Sequence, residues 1–113
     1  MPFIDCKITK KLDESQKNAI CDGLCSSVSL MHKSSSYLMV GVNDGYDLYF
    51  AGKKLTEGAF VDVRAFGGVN GGDCRKMTAA VCKLLSSVAG IPAECVYITY
   101  EGYENWGWNG DNF

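Results

Sequence analysis

Along this 113-residue chain the apolar pattern changes period from about two to about 3.6 and back, and it does so twice. Phe3 to Thr9 alternates loosely, as a strand does. Asp13 then stands before a helical stretch in which Ile20, Leu24, Val28 and Met31 recur at helical spacing, and Gln16 is placed to close a capping box with Asp13. Ser34-Ser35-Ser36 interrupt that pattern. Tyr37 to Val42 reads as a second strand, Asn43-Asp44-Gly45 as a turn, and Asp47 to Phe50 as a short extended piece. Ala59 to Phe66, AFVDVRAF, alternates cleanly until the glycines of GGVNGGD end it. Met77, Val81, Leu84 and Val88, widened by Ala80 and Leu85, predict a second helix from about Asp73 to Ala89, stopped by Gly90 and Pro92. Cys95 to Tyr100, CVYITY, is β-branched and aromatic, and predicts a last strand before a tail rich in aromatics and turn residues.

Two strand-helix-strand halves of similar size imply an α+β (α/β) fold, in which two β-α-β units share one four-stranded sheet and both helices lie on one face. No linker or low-complexity segment divides the chain, so residues 1–113 are read as one domain. The 47% hydrophobic and 21% charged composition belongs to the globular class. The sheet face away from the helices also carries apolar side chains, and a second subunit is the simplest cover for it. An oligomer is therefore expected, and for so short a chain it adds useful burial.

Several function classes are excluded. Eleven basic side chains against thirteen acidic ones give a net charge of −2, with no basic tract longer than Lys10-Lys11 or Lys53-Lys54. That charge suits neither nucleic acid nor an anionic membrane. No apolar run approaches the roughly 20 residues of a membrane span, and MPFIDCKITKKLDE has no apolar core bounded by basic residues, so synthesis in the cytosol is expected. Six cysteines accompany a single histidine, His32, which reads as a surface residue near a helix end. Cys21 and Cys25 are four apart and no CxxC occurs, so a zinc site or thioredoxin-type centre is not expected, and reduced, packed thiols are. GGVNGGD lacks the lysine-serine ending of a P-loop and the spacing of a dinucleotide fingerprint, and reads as a strand-to-helix turn.

Pro2 is the residue with chemistry to offer. Removal of Met1 leaves it with a free secondary amine, whereas any other proline has no ionisable group. A chain-terminal α-amine titrates near ~7.7–8.0, and a proline amine is more basic. Burial among aromatics such as Phe3, Tyr37, Phe66, Tyr97, Trp106, Trp108 and Phe113, with a cation such as Lys33 nearby, would favour its neutral form. A neutral amine there accepts a carbon-bound proton.

The residues also carry a family resemblance. Val96-Tyr97-Ile98-Thr99-Tyr100 and the Trp106-Gly107-Trp108-Asn109-Gly110 stretch through Phe113 resemble the end of macrophage migration inhibitory factor (MIF) proteins. The Met-Pro start, Met31-His32-Lys33, Tyr37-Leu38-Met39-Val40, Phe50-Ala51-Gly52 and Phe66-Gly67-Gly68 are similar in order and spacing. The resemblance implies the tautomerase/MIF fold as a homotrimer with an active site at each subunit boundary. It implies Pro2 as catalytic base, Lys33 as anchor of the substrate carboxylate, Phe66 at the pocket border and Tyr97 contributed by the adjacent subunit. Phe3, Trp106, Trp108 and Phe113 are implied as apolar lining.

The reaction implied is keto–enol tautomerisation of small aromatic acids of the phenylpyruvate or dopachrome type, with no metal and no organic cofactor. The chain departs from the family pattern at Ser34, where a proline usually follows the lysine, at Ala65, where serine is usual, and at Thr99, where many members have asparagine. The family's CxxC is replaced by residues around Glu57 to Phe60, so its thiol–oxidoreductase activity is not carried over. A reading from another class is a leaderless secreted signalling protein, a cytokine or mimic of a host cytokine engaging cell-surface receptors, with the pocket a relic.

Overall fold

In the computed structural model, which describes residues 2–113, eight strands and two helices follow one another. They are β1 (Pro2–Ile8), α1 (Glu14–Ser27), β2 (Met39–Asn43), β3 (Tyr49–Phe50), β4 (Lys53–Lys54), β5 (Ala59–Phe66), α2 (Gly71–Ala89), β6 (Val96–Tyr103), β7 (Gly107–Trp108) and β8 (Asp111–Asn112). The four long strands form one sheet in the order β2-β1-β5-β6. The two pairs joined by a helix, β1 with β2 and β5 with β6, are parallel, and the central pair β1 and β5 is antiparallel. This is the two-unit architecture that the alternating periods predict.

The local signals explain most boundaries. Asp13 caps α1 as expected: its carboxylate accepts from the Gln16 N–H at 2.8 Å, while the Gln16 side chain accepts from the Asp13 N–H at 3.1 Å. Gly90, at φ 66°, closes α2 in the left-handed conformation that favours glycine. The α2 helix begins at Gly71, two residues before the expected start, because the Asn70 side chain caps it by accepting from Gly72 and Asp73. The α1 helix is shorter than its apolar spacing suggests. Val28–Met31 tighten into a 3-10 turn, which His32 ends at φ 57°. A second 3-10 turn, Ser35–Tyr37, removes Tyr37 from the predicted strand, so β2 starts at Met39.

Alternation on β1 and β5 places Ile4, Cys6, Ile8, Val61 and Val63 on one face, all fully buried. Ile20 and Leu24 from α1 and Met77, Val81 and Leu85 from α2 close over them to make one core. The other face carries apolar side chains, as expected, but charge as well. Its centre is charged: Lys7 pairs with Asp5 at 2.6 Å, Arg64 with Asp62 at 2.9 Å, and the Thr99 hydroxyl donates to Asp62 at 2.9 Å. Apolar side chains remain toward its ends and edges, with Met39 at 69% and Tyr97 at 60% exposure.

Candidate active site

The first strand fixes Pro2. Its ring is fully buried, and it lies opposite Ala65 in the antiparallel β1 and β5 ladder. The neighbouring pair, Phe3 opposite Arg64, projects to the other face of the sheet. Above this corner the tail folds back as a hairpin, with Trp108 opposite Asp111 across the Asn109-Gly110 loop. Both loop residues have positive φ, 54° and 82°, as a two-residue turn matched to strand twist requires. The Phe113 N–H donates to the Trp106 carbonyl at 3.0 Å, which locks the last residue over the hairpin.

These elements enclose a groove of about 670 Å³, within the range of small-molecule sites. Pro2, Phe3, Trp106, Trp108 and Phe113 line it, so the structure brings together most of the residues singled out in the sequence. The Trp108 and Phe113 rings stack at 5.7 Å and 13°. Tyr37 meets Trp108 edge-on at 5.3 Å, and Phe66 reaches this cluster through Phe113 at 5.8 Å without itself lining the groove. A planar, apolar guest fits such walls.

Lys33 and Tyr97 lie elsewhere. The Lys33 ammonium donates to the Phe66 carbonyl at 2.9 Å, beside the strand position that faces Pro2, but it is not part of the groove lining. Tyr97 is opposite Phe60, five positions along β5 from Ala65, or roughly 16 Å at ~3.3 Å per residue. Its ring packs on Phe50 at 5.6 Å. Tyr97 and Pro2 of one chain therefore sit at opposite ends of the sheet.

The groove also holds residues that sequence reasoning passed over, among them Arg64, Tyr103 and Asn105. Among the described residues Arg64 is its only cationic side chain, and no acidic side chain lines it. The signal for Arg64 was present, since clean alternation in AFVDVRAF puts it on the same face as Phe66. The Asp62 carboxylate, hydrogen-bonded to Arg64, holds that guanidinium even more firmly charged than usual. Burial pushes the Tyr103 hydroxyl upward from its ordinary value, and that hydroxyl donates to Glu101 Oε2 at an oxygen–oxygen distance of 3.3 Å. Among the described residues no three or more His, Cys, Asp or Glu side chains cluster as metal ligands.

The family model of macrophage migration inhibitory factor (MIF) matches residues 1–113, the whole chain. The chain belongs to the MIF family. Among solved structures, this MIF-family chain is similar to Leishmania major MIF2, at 24% identity and a TM-score of 0.92, over 100% of this chain and 97% of that one. It is similar to the MIF-like protein of Entamoeba histolytica, at 26% identity and a TM-score of 0.85, over 99% and 98% of the two chains. It also shares its fold with Pt0534, solved after inactivation by 2-oxo-3-pentynoate, at 18% identity and a TM-score of 0.84 over 96% and 93%. No curated protein matches the sequence at a significant level.

Proposed function

We propose that this MIF-family chain is a keto–enol tautomerase for small aromatic 2-oxo acids of the phenylpyruvate or dopachrome type, with Pro2, freed by removal of Met1, as its base. The observation that carries this reading is a fully buried Pro2 in the wall of an aromatic groove with a single cationic side chain. Burial penalises the ammonium form of the freed amine, and the Lys33 charge beside Ala65 and Phe66 penalises it further. A neutral nitrogen is the form that accepts a proton.

In the proposed reaction the aromatic ring of the substrate lies against Trp106, Trp108 and Phe113, with its carboxylate drawn to the positive side of the groove. The Pro2 nitrogen takes a proton from the carbon next to the carbonyl. The electrons of that C–H bond form the new C=C bond, the carbonyl π electrons move to oxygen, the oxygen takes a proton from water, and the Pro2 ammonium returns its own proton to solvent. The reverse sequence returns the keto form, so neither direction needs a redox partner. Phe3 and Tyr37 close the sides and keep water from the reacting carbon.

The working unit in this reading is a homotrimer. Tyr97 stands about 16 Å along the sheet from the Pro2 position, so a site that uses both draws Tyr97 from a second copy. Its exposure beside Phe50 supports that assignment.

An electrophilic 2-oxo acid tests the reading. The conjugated alkyne of 2-oxo-3-pentynoate adds a secondary amine: an N–C bond forms, one alkyne π bond is used, and the amine proton passes to the adjacent carbon. Peptide mapping after incubation is expected to place one adduct on Pro2, with loss of tautomerase activity in proportion. Activity lost through a cysteine adduct, with Pro2 unmodified, would count against the base assignment.

A further inference from the structure

We propose that Cys21 and Cys25, one turn apart on α1, form a two-thiolate site for a soft monovalent cation, copper(I). The inference goes beyond the tautomerase reading and does not depend on it. Both thiols are free and half-buried, and a spacing of four on the regular helix Glu14–Ser27 puts them on one flank. The two side chains hydrogen-bond to each other, so their sulfurs already meet. On α2 the matching relationship is missing. Cys74 and Cys82 lie eight residues apart there, roughly 12 Å at ~1.5 Å per residue, too far for one ion to bridge. Cys6 is shut in the core.

Helix geometry decides what such a pair can hold. Side chains at this spacing keep their Cβ atoms about 5–6 Å apart, whereas a disulfide needs about 3.5–4.5 Å. Direct oxidation to a disulfide would therefore have to distort α1. A single bridging ion suits the wider gap, since two metal–thiolate bonds of ~2.3 Å each reach sulfurs up to roughly 4.6 Å apart. Among the described residues no third Cys, His, Asp or Glu joins the pair to make a larger ligand cluster, which leaves zinc two ligands short of its tetrahedral set. Copper(I) is soft, selects thiolates and is satisfied by two of them. On binding, each S–H bond releases its proton to solvent and its electron pair goes to the copper, so no oxidant or reductant enters the step. Burial first, then Cys21 and Asp22 beside it, push the Cys25 thiol up, and copper has to displace that proton. Lys17, one turn before Cys21, stands on the same flank and offsets the negative charge of the complex.

The test follows copper(I) as the full chain removes it from its coloured bathocuproine disulfonate complex, without oxygen and with ascorbate present. It compares the native protein with Cys21→Ala, Cys25→Ala and Cys82→Ala, using circular dichroism to confirm folding. The native protein and C82A are expected to take one copper each. C21A and C25A should each bind it roughly a hundredfold more weakly or worse, the upper end of what changes around a metal's ligands cost, because here a ligand itself is gone. Bound copper should also shield Cys21 and Cys25 together from iodoacetamide at pH 8 and leave Cys82 open to it, which a purely structural role for these thiols would not produce. If an alanine variant fails to fold, this shielding pattern in the native protein decides alone. A native protein that takes no copper from the chelator, equal uptake by all four proteins, or shielding of one of the two cysteines without the other would overturn the assignment.

Discussion

The Lys33 ammonium donates a 2.9 Å hydrogen bond to the Phe66 carbonyl, one residue beyond Ala65, the strand partner of Pro2. In the proposed mechanism a positive charge there opposes protonation of the Pro2 amine, and its removal is expected to favour the protonated form. If Pro2 acts as a base in its neutral form, as proposed, the acid limb of the pH profile of kcat/KM should move to higher pH in Lys33→Met. The variant should lag most at acid pH and converge with the native enzyme in alkali. A midpoint that stays in place or moves down would contradict this role for Lys33.

Gly102 on β6 lies against the Gly67 carbonyl, at the turn that follows Phe66, and a Cβ there would collide with that oxygen. The Gly67 N–H donates to the Tyr103 carbonyl at 2.8 Å, which holds the turn close. Gly102→Ala should therefore destabilise the protein by about 1–3 kcal/mol, the usual cost of overpacking against backbone. It should also disturb Phe66. Urea unfolding measures the first effect, and a stability within error of the native value would refute the close approach.

Cys6 is fully buried in the core, and burial pushes its thiol up to about 12. The thiol therefore stays protonated, and unreactive, at any pH where the protein is handled. Iodoacetamide at pH 8 should leave Cys6 unlabelled in the native protein while the half-buried Cys21, Cys25 and Cys82 react slowly. In denaturant all six should label. Native labelling of Cys6 would mean that the sheet opens locally.

Asp44 pins the turn after β2 to the start of α1. Its carboxylate accepts from the Leu12 N–H at 2.9 Å and lies 3.8 Å from the Lys17 ammonium. The Leu12 hydrogen bond, and then the lysine charges, hold this carboxyl below its ordinary value. A depressed carboxyl stabilises the fold above its unfolded pKa, near ~3.9, and that contribution is lost as pH falls through the folded value. Asp44→Asn should melt below the native protein at pH 7, and the gap should close under acid. A gap that stays constant with pH would show that the charge does not matter.

Much of the scaffold was legible because its signals are local. The Asp13 and Gln16 capping box, the alternation of AFVDVRAF and the Gly90 stop each act within a few residues, and each appears where the sequence puts it. Interruptions set by tertiary packing were less legible. Ser35–Tyr37 coil into a 3-10 turn that turns Tyr37 toward Trp108, and no periodicity marks that. The tail hairpin had a signal, Asn109-Gly110, that aromatic composition overshadowed. Arg64 was hidden for another reason. Its position on the open face followed from alternation, but its place in the groove depends on a hairpin more than forty residues further along the chain.

The rate of phenylpyruvate tautomerisation, followed by ultraviolet absorbance at neutral pH, tests the central claim most directly when native protein is set beside Pro2→Gly. Intact mass first confirms that Met1 is absent from both. The account predicts rapid turnover by the native protein and a loss of about a hundredfold or more in kcat/KM for the variant, the scale of a removed general base. A native rate no faster than buffer, or a variant as active as the native protein, would contradict it.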